Sequence, residues 1–136
     1  MALAGEANVS DKPKIIVIDD DPDIVTFLST LLEDHGYDYV TAIDGQEGID
    51  KTRAEKPDLI LLDITMPEKS GVRFYREVRG DPELKDTPVV MVTGVMQEFQ
   101  KFISTRKQVP PPDGYISKPI DKDALLETIA KLLGRN

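Results

Sequence analysis

The sequence predicts an α/β domain in which five short strands form one parallel sheet with helices on both faces. Three short runs of the chain are entirely apolar, helical patterns lie between them, and strand-like and helix-like segments alternate along the sequence. The length of 136 residues suits one domain. A chain of this size can bury a hydrophobic core without disulfide bonds. Residues 1–13 are predicted to be a flexible tail and residues 14–134 the folded domain.

The strands are predicted from apolar runs and the turn residues that bound them. Runs that are apolar at every position are typical of strands buried on both faces, so we expect them at the centre of the sheet. Two more polar segments are predicted as edge strands. The central strands are predicted at Ile15–Ile18, Leu59–Leu62 and Val89–Val92, and the edge strands at Tyr37–Ala42 and Gly114–Ser117. This assignment fits the doubly wound, flavodoxin-like strand order 2-1-3-4-5.

Five helices are predicted between and after these strands. The first begins at Asp20-Asp21-Pro22, which offers a capping carboxylate and a proline, and ends at Gly36. The second, from about Asp44 to Glu55, is weaker because Gly48 lies inside it. The other three are predicted over about Ser70 to Arg79, around Met96, Phe99 and Ile103, and from an Asp121 cap through Leu132.

Composition excludes several classes of protein. The chain has 17 Lys+Arg and 25 Asp+Glu residues and a net charge of −8, which argues against direct nucleic-acid binding because that requires basic side chains. It has no cysteine, which excludes disulfides and thiolate metal sites. No apolar segment approaches the ~20 residues of a membrane span. The first residues lack the features of a signal peptide, so we expect a cytoplasmic protein without membrane insertion.

Polar residues follow the predicted strands at the points where the strands end. Asp19-Asp20-Asp21 follows the first strand, Asp63 the third, Thr93 the fourth and Lys118 the fifth. The carboxyl ends of parallel strands meet at one edge of a sheet, which is where ligands bind in open α/β folds. We therefore expect carboxylates, a hydroxyl and an ammonium group to meet there.

This set of side chains points to phosphoryl chemistry. Clustered carboxylates repel one another unless a cation joins them, and oxygen ligands without nitrogen or sulfur suit a hard ion such as Mg²⁺, with Mn²⁺ as an alternative. A lysine can neutralise phosphoryl oxygens, and an aspartate can itself be the nucleophile. The residues therefore suit the formation and breakdown of an aspartyl-phosphate.

The strand ends carry the motifs of a known family. The chain resembles the receiver domains of response regulators in two-component signalling, the family of the chemotaxis receivers. The resemblance spans about residues 14–134, and its motifs occur in the expected order on the expected strands. The matching segments are IIVIDDDP at 15–22, PDLILLDITMP at 57–67, PVVMVTG at 88–94 and GYISKP at 114–119.

The resemblance implies an acceptor and a metal site. By this comparison Asp63 is the phosphoacceptor. Asp20 would bind Mg²⁺ directly and Asp19 directly or through water, while Asp63 and the backbone carbonyl of Thr65 would complete the protein ligands. Asp21 matches a third position where an acidic residue is optional in the family.

The resemblance also implies a switch. Thr93 and Lys118 would contact the phosphoryl group, and Tyr115 would be the aromatic residue that turns inward as Thr93 moves. The Lys118–Pro119 bond is cis in the family. The fourth predicted helix, the fifth strand and the fifth predicted helix would form the output surface.

The function expected from these residues is a phosphorylation-activated signalling receiver. Its phosphodonor would be a sensor histidine kinase or a histidine phosphotransferase in a phosphorelay, and its output partner is not evident from the sequence. We do not expect a free-standing enzyme, because the domain would catalyse only its own phosphoryl transfer and autodephosphorylation.

Two alternatives belong to other functional classes. A receiver-fold binding module that works without phosphorylation need not bind Mg²⁺. A Mg²⁺-dependent phosphatase with an aspartyl nucleophile would turn over phosphomonoesters. Its D-x-D-x-[TV] signature does not fit in this register, because Asp23 occupies the fifth position.

Two features depart from the family pattern. Gly94 follows the threonine where the family usually has alanine or serine, so this position offers no side chain to the site. Residues 108–113 contain the Pro110-Pro111-Pro112 run, and this connection is longer than the usual glycine-containing turn. Because prolines favour stiff, extended backbone, we expect the insertion to reshape the output surface.

Overall fold

The computed structural model describes residues 12–63, 70–94 and 111–134. Within these ranges it contains one sheet of five parallel strands in the order β2-β1-β3-β4-β5, which confirms the predicted fold class and topology. The strands are β1 (Lys14–Ile18), β2 (Asp38–Ala42), β3 (Leu59–Leu62), β4 (Val89–Thr93) and β5 (Gly114–Ser117). The helices are α1 (Pro22–Asp34), α2 (Gly45–Glu55), α3 (Ser70–Gly80) and α4 (Lys122–Leu132).

The predicted elements agree with the described ones to within a residue at most ends. The predicted edge strands are the outer strands β2 and β5, and the three apolar runs form the central strands. Helix α4 corresponds to the fifth predicted helix. The helix predicted around Met96, Phe99 and Ile103 lies outside the described residues, as does most of the predicted tail.

Alternate side chains of the central strands pack into two separate hydrophobic cores, one on each face of the sheet. Ile16 and Ile18 of β1 pack with residues of α2 and α3 on one face of the sheet. Ile15 and Val17 pack with residues of α1 and α4 on the other face. All four side chains are at most 1% exposed. Burial on both faces explains why β1 is apolar at every one of these positions.

The helix ends use the signals that the sequence predicts. The Asp21 side chain accepts a hydrogen bond from the Asp23 N–H (2.9 Å) and caps α1, with Pro22 as the first helical residue. After α1 the chain turns through Gly36, whose φ of 85° is a conformation that glycine adopts without strain. The Asp121 side chain caps α4 by accepting from the Asp123 and Ala124 N–H groups.

Gly48 has a packing role that its sequence context does not show. A Cβ atom at this position would lie 2.9 Å from Ile18 Cδ1 and 3.3 Å from the Phe74 ring. The glycine thus lets α2 approach β1 and α3 closely. The residue that weakens α2 as an isolated helix is needed for its contact with the core.

Within residues 12–63, 70–94 and 111–134, no helix combines the length and apolar character needed to cross a membrane.

Candidate functional site

Two aspartates stand directly after the central strands, and their backbones are held by the sheet. The Asp19 N–H donates to the Ala42 carbonyl (3.1 Å), and the Asp63 N–H donates to the Ile18 carbonyl (3.0 Å). Each bond continues the strand pairing by one residue. The sheet therefore fixes the backbone positions from which both carboxylate side chains extend.

Three carboxylates converge at this edge of the sheet, as the strand ends predict. Asp19, Asp20 and Asp63 each offer an oxygen, and these oxygens all lie within 4.8 Å of one another. Asp19 is 1% exposed and Asp63 is 3% exposed, whereas Asp20 lies open to solvent. The cluster thus consists of two buried carboxylates and one that faces solvent.

Lys118 brings an ammonium group to the two buried carboxylates. Its Nζ lies 3.3 Å from Asp19 Oδ2 and 3.5 Å from Asp63 Oδ2, and its side chain is 22% exposed. The Lys118–Pro119 peptide bond is cis, as the resemblance predicts. An ammonium between two carboxylates partly offsets their mutual repulsion.

The electrostatics of Asp19 reflect this crowding. Burial raises the pKa of Asp19 above its usual range, and the charge of Asp63 raises it further. The Asp21 N–H, which donates to Asp19 Oδ1 at 2.9 Å, and the Lys118 ammonium both oppose the shift. The net result is a raised pKa. The Lys118 ammonium and the Asp21 N–H therefore do not fully compensate for the cost of burying the ionised Asp19 carboxylate.

These residues fit a hard divalent cation. The donors are carboxylate oxygens only, two of them buried, and the nearby ammonium does not fully satisfy Asp19. Oxygen ligands of this kind suit Mg²⁺ or Mn²⁺ better than a soft metal. Asp19, Asp20 and Asp63 are the described residues that could hold such an ion.

The remaining predicted site residues are placed by β4 and β5. Thr93 is the last residue of β4 and is in register with Ser117, the residue before Lys118. Tyr115 is opposite Met91, and its side chain is 54% exposed. The backbone carbonyl of Thr65 lies outside the described residues, so its predicted role as a metal ligand stays a prediction.

Two contacts of Lys118 differ in whether the sequence predicts them. The lysine pairs with Asp19 as well as lying near Asp63, although 99 positions separate Lys118 from Asp19. A Cβ atom at Gly94 would lie 3.8 Å from Lys118 Cβ, so the glycine borders the lysine stem. The signal for the first contact is the shared edge of the sheet, while the second has no signal in the sequence.

Comparison with known families identifies the motif-bearing region. Residues 15–130 match the model of the "Response regulator receiver domain" family. Protein PilH of Pseudomonas aeruginosa is 36% identical over 120 residues, which is 88% of this chain and 97% of PilH. The PhoP transcriptional regulatory protein of alkaline phosphatase synthesis in Bacillus subtilis is 35% identical over 123 residues, which is 90% of this chain and 49% of PhoP.

A solved structure has the same fold. The chemotaxis protein CheY4 of Vibrio cholerae is 31% identical and superposes with a TM-score of 0.79, covering 89% of this chain and 98% of CheY4. This chain therefore spans nearly all of CheY4 and PilH but about half of PhoP.

Proposed function

The chain belongs to the response regulator receiver family of two-component signalling, and on that premise we propose that it is a phosphorylation-activated switch whose acceptor is Asp63. The observation that carries the proposal is the environment of the Asp63 carboxylate, which is buried and lies 3.5 Å from the Lys118 ammonium. A carboxylate beside a cation can attack a phosphoryl group whose charge the same cation offsets.

The proposed donor is a phosphohistidine of a sensor histidine kinase or a histidine phosphotransferase. An Asp63 oxygen attacks phosphorus in line with the P–N bond, so that an O–P bond forms as the P–N bond breaks. The imidazole nitrogen leaves with the electron pair of the broken bond. Lys118, already beside Asp63, contacts the transferred phosphoryl oxygens.

A bound divalent cation completes the proposed charge balance. Asp19, Asp20 and Asp63 would hold it, and the backbone carbonyl of Thr65 is a further proposed ligand. When bound, Mg²⁺ or Mn²⁺ supplies positive charge that offsets the phosphoryl oxygens. Backbone hydrogen bonds to the neighbouring strands hold the main chain of Asp19 and Asp63 in place at this site.

The proposal includes the fate of the signal. Thr93 would bind a phosphoryl oxygen, and Tyr115, whose side chain is 54% exposed, would turn inward and report the change to the output surface. The chain would catalyse only its own phosphoryl transfer and autodephosphorylation, in the cytoplasm, without turnover of other substrates. The output partner is to be identified by its preference for the phosphorylated form.

The proposal is tested by intact mass after incubation with acetyl phosphate and Mg²⁺. Wild type is compared with Asp63→Asn and with Asp86→Asn, which makes the same change at an exposed position after α3. We expect wild type and Asp86→Asn to gain one phosphoryl group and Asp63→Asn to gain none. EDTA should abolish the gain because it removes the ion.

Two results would contradict the proposal. Equal phosphorylation of Asp63→Asn would show that another residue is the acceptor. If wild type gains no phosphoryl group from acetyl phosphate or from phosphorylated histidine phosphotransferases, the chain is a phosphorylation-independent binding module.

A further inference from the structure

Strand β5 is weakly specified by its own side chains, although it leads directly to Lys118. It has four residues, lies at the edge of the sheet, and only Ile116 is buried. Side chains alternate between the two faces of a strand. A slip of one residue in the pairing would therefore exchange the faces of Tyr115 and Ile116, exposing Ile116 and burying Tyr115. Something besides the hydrophobic pattern must hold the register.

Asp113 fastens the start of β5 to the start of β4. Its N–H donates to the Val89 carbonyl (2.9 Å), and its Oδ2 accepts from the Val89 N–H (2.8 Å). The preceding residues, Pro111 and Pro112, have no N–H to donate. Asp113 therefore supplies the first backbone donor after these prolines, and it uses its side chain on the same partner.

The guanidinium of Arg79 also binds the Asp113 carboxylate that contacts Val89. Arg79 lies at the C-terminal end of α3, and its side chain is 8% exposed. Its Nη2 donates to Asp113 Oδ2 (2.8 Å), the same oxygen that accepts from Val89. Its Nη1 donates to the carbonyls of Lys85 (3.0 Å) and Thr87 (2.8 Å) in the loop that leads to β4.

Tyr75 contacts the Arg79 guanidinium through both its hydroxyl and its ring. The Tyr75 hydroxyl accepts from Arg79 Nε (3.2 Å), and the Arg79 Cζ atom lies 5.0 Å from the centre of the tyrosine ring. Burial raises the pKa of Tyr75, so its hydroxyl stays protonated near neutral pH. Arg79 thus bonds four groups at once, which requires the planar fork of a guanidinium.

We propose that Arg79 and Asp113 are positioning residues that set the register of β5 and thereby hold Lys118 beside Asp63. The inference rests on the proposed function of Asp63 and Lys118. It connects two opposite ends of the sheet, because the Asp113 contacts lie where β4 and β5 begin and Lys118 lies just beyond where β5 ends. The rigid strand between them carries the effect.

The test compares Asp113→Ala, Asp113→Asn and the matched control Asp86→Asn. The rate of phosphorylation by acetyl phosphate is measured at saturating Mg²⁺, and Mg²⁺ affinity is measured by calorimetry. We expect Asp113→Ala to be phosphorylated roughly tenfold more slowly than wild type, because small displacements of a positioning group cost rate steeply. Mg²⁺ affinity should not fall, because its proposed side-chain ligands follow β1 and β3. Hydrogen exchange of the β5 amides should be faster.

Asp113→Asn keeps an oxygen for the Val89 N–H and loses the charge that faces Arg79. We expect Asp113→Asn to be phosphorylated at a rate between those of wild type and Asp113→Ala. If Asp113→Ala fails to fold, the rate of Asp113→Asn is compared with that of Asp86→Asn instead. The inference is overturned if the Asp113 variants are phosphorylated as fast as Asp86→Asn. It is also overturned if the rate and Mg²⁺ affinity fall together, since that indicates general loss of structure. Failure of wild type to be phosphorylated would instead count against the proposed function.

Discussion

Lys118 Nζ lies 3.3 Å from Asp19 Oδ2, and this contact joins the end of β5 to the end of β1 across the edge of the sheet. The Asp19 carboxylate is almost fully buried, so its charge depends on neighbouring groups rather than on water. The lysine supplies part of that compensation. The same ammonium is the group that we propose for the phosphoryl oxygens, so its two roles compete.

Replacing Lys118 with methionine should destabilise the metal-free protein and abolish rapid phosphorylation. The two buried aspartates lose their nearby cation, which we expect to lower the free energy of unfolding at pH 7 by roughly 1–3 kcal/mol, less than for a fully buried pair because Lys118 is 22% exposed. Mg²⁺ should then stabilise the variant more than it stabilises wild type, because the ion no longer competes with an ammonium. Chemical denaturation with and without Mg²⁺ measures the two effects on stability, and intact mass after incubation with acetyl phosphate measures phosphorylation. Lys122→Met, at an exposed position of α4, is the control, and equal stability of the two variants would contradict the prediction.

Replacing Asp19 with asparagine should stabilise the metal-free protein. The substitution removes a buried charge while leaving an oxygen for the Asp21 N–H, so we expect a higher free energy of unfolding at pH 7. The stabilisation that Mg²⁺ gives wild type should be largely lost. Asp20→Asn, at the exposed member of the cluster, should weaken Mg²⁺ binding with little change in metal-free stability. A lower melting temperature for Asp19→Asn without Mg²⁺ would show that its charge is already compensated.

Asp81 should give the protein an acid-sensitive contribution to stability. Hydrogen bonding from the Glu83 N–H, helped by Arg53, holds the pKa of Asp81 below its usual range. A folded-state pKa below the unfolded value means that the contribution is present above the unfolded pKa and disappears as pH falls through the folded pKa. Asp81→Asn should therefore melt at a lower temperature than wild type at pH 7, and the difference should shrink below about pH 4. Asp86→Asn is the control, and a difference that persists unchanged at low pH would refute the assignment.

Replacing Gly94 with alanine should be tolerated and mildly stabilising. The added Cβ would lie 3.8 Å from Lys118 Cβ and 4.0 Å from Lys118 Cδ, which are ordinary contact distances. Loss of unfolded-state freedom should raise the free energy of unfolding by about 0.4–1 kcal/mol. Gly48→Val, at a glycine packed against Ile18 and Phe74, should instead lower it by roughly 1–3 kcal/mol. Thermal melts of both variants check the prediction, and destabilisation by Gly94→Ala would show that its backbone needs glycine.

The strand order and the convergence of Asp19, Asp63 and Lys118 follow from local patterns. Apolar runs mark the buried strands, and the rule that parallel strands end at one edge brings their polar successors together. The Arg79–Asp113 contact could not be predicted in this way. It joins residues 34 positions apart whose types are common on surfaces, and only the placement of the C-terminal end of α3 near the residue before β5 brings them together.

Gly48 illustrates another limit of local patterns. Helix propensity evaluates a residue against its own helix, whereas the space at Gly48 is set by Ile18 and Phe74 from two other elements. The predicted helix around Met96 and the Thr65 carbonyl lie outside the described residues and stay predictions.

The backbone bonds from Asp19 to Ala42 and from Asp63 to Ile18 have a kinetic consequence. The main chain beneath these two carboxylates is ordered when the sheet forms, so these two ligands need no folding step of their own to bind a cation. The rate of capture should then depend on how fast the ion sheds its own water, a slow step for Mg²⁺ because it dehydrates reluctantly. An ion that exchanges water faster should enter the same site sooner, even where its final affinity is lower.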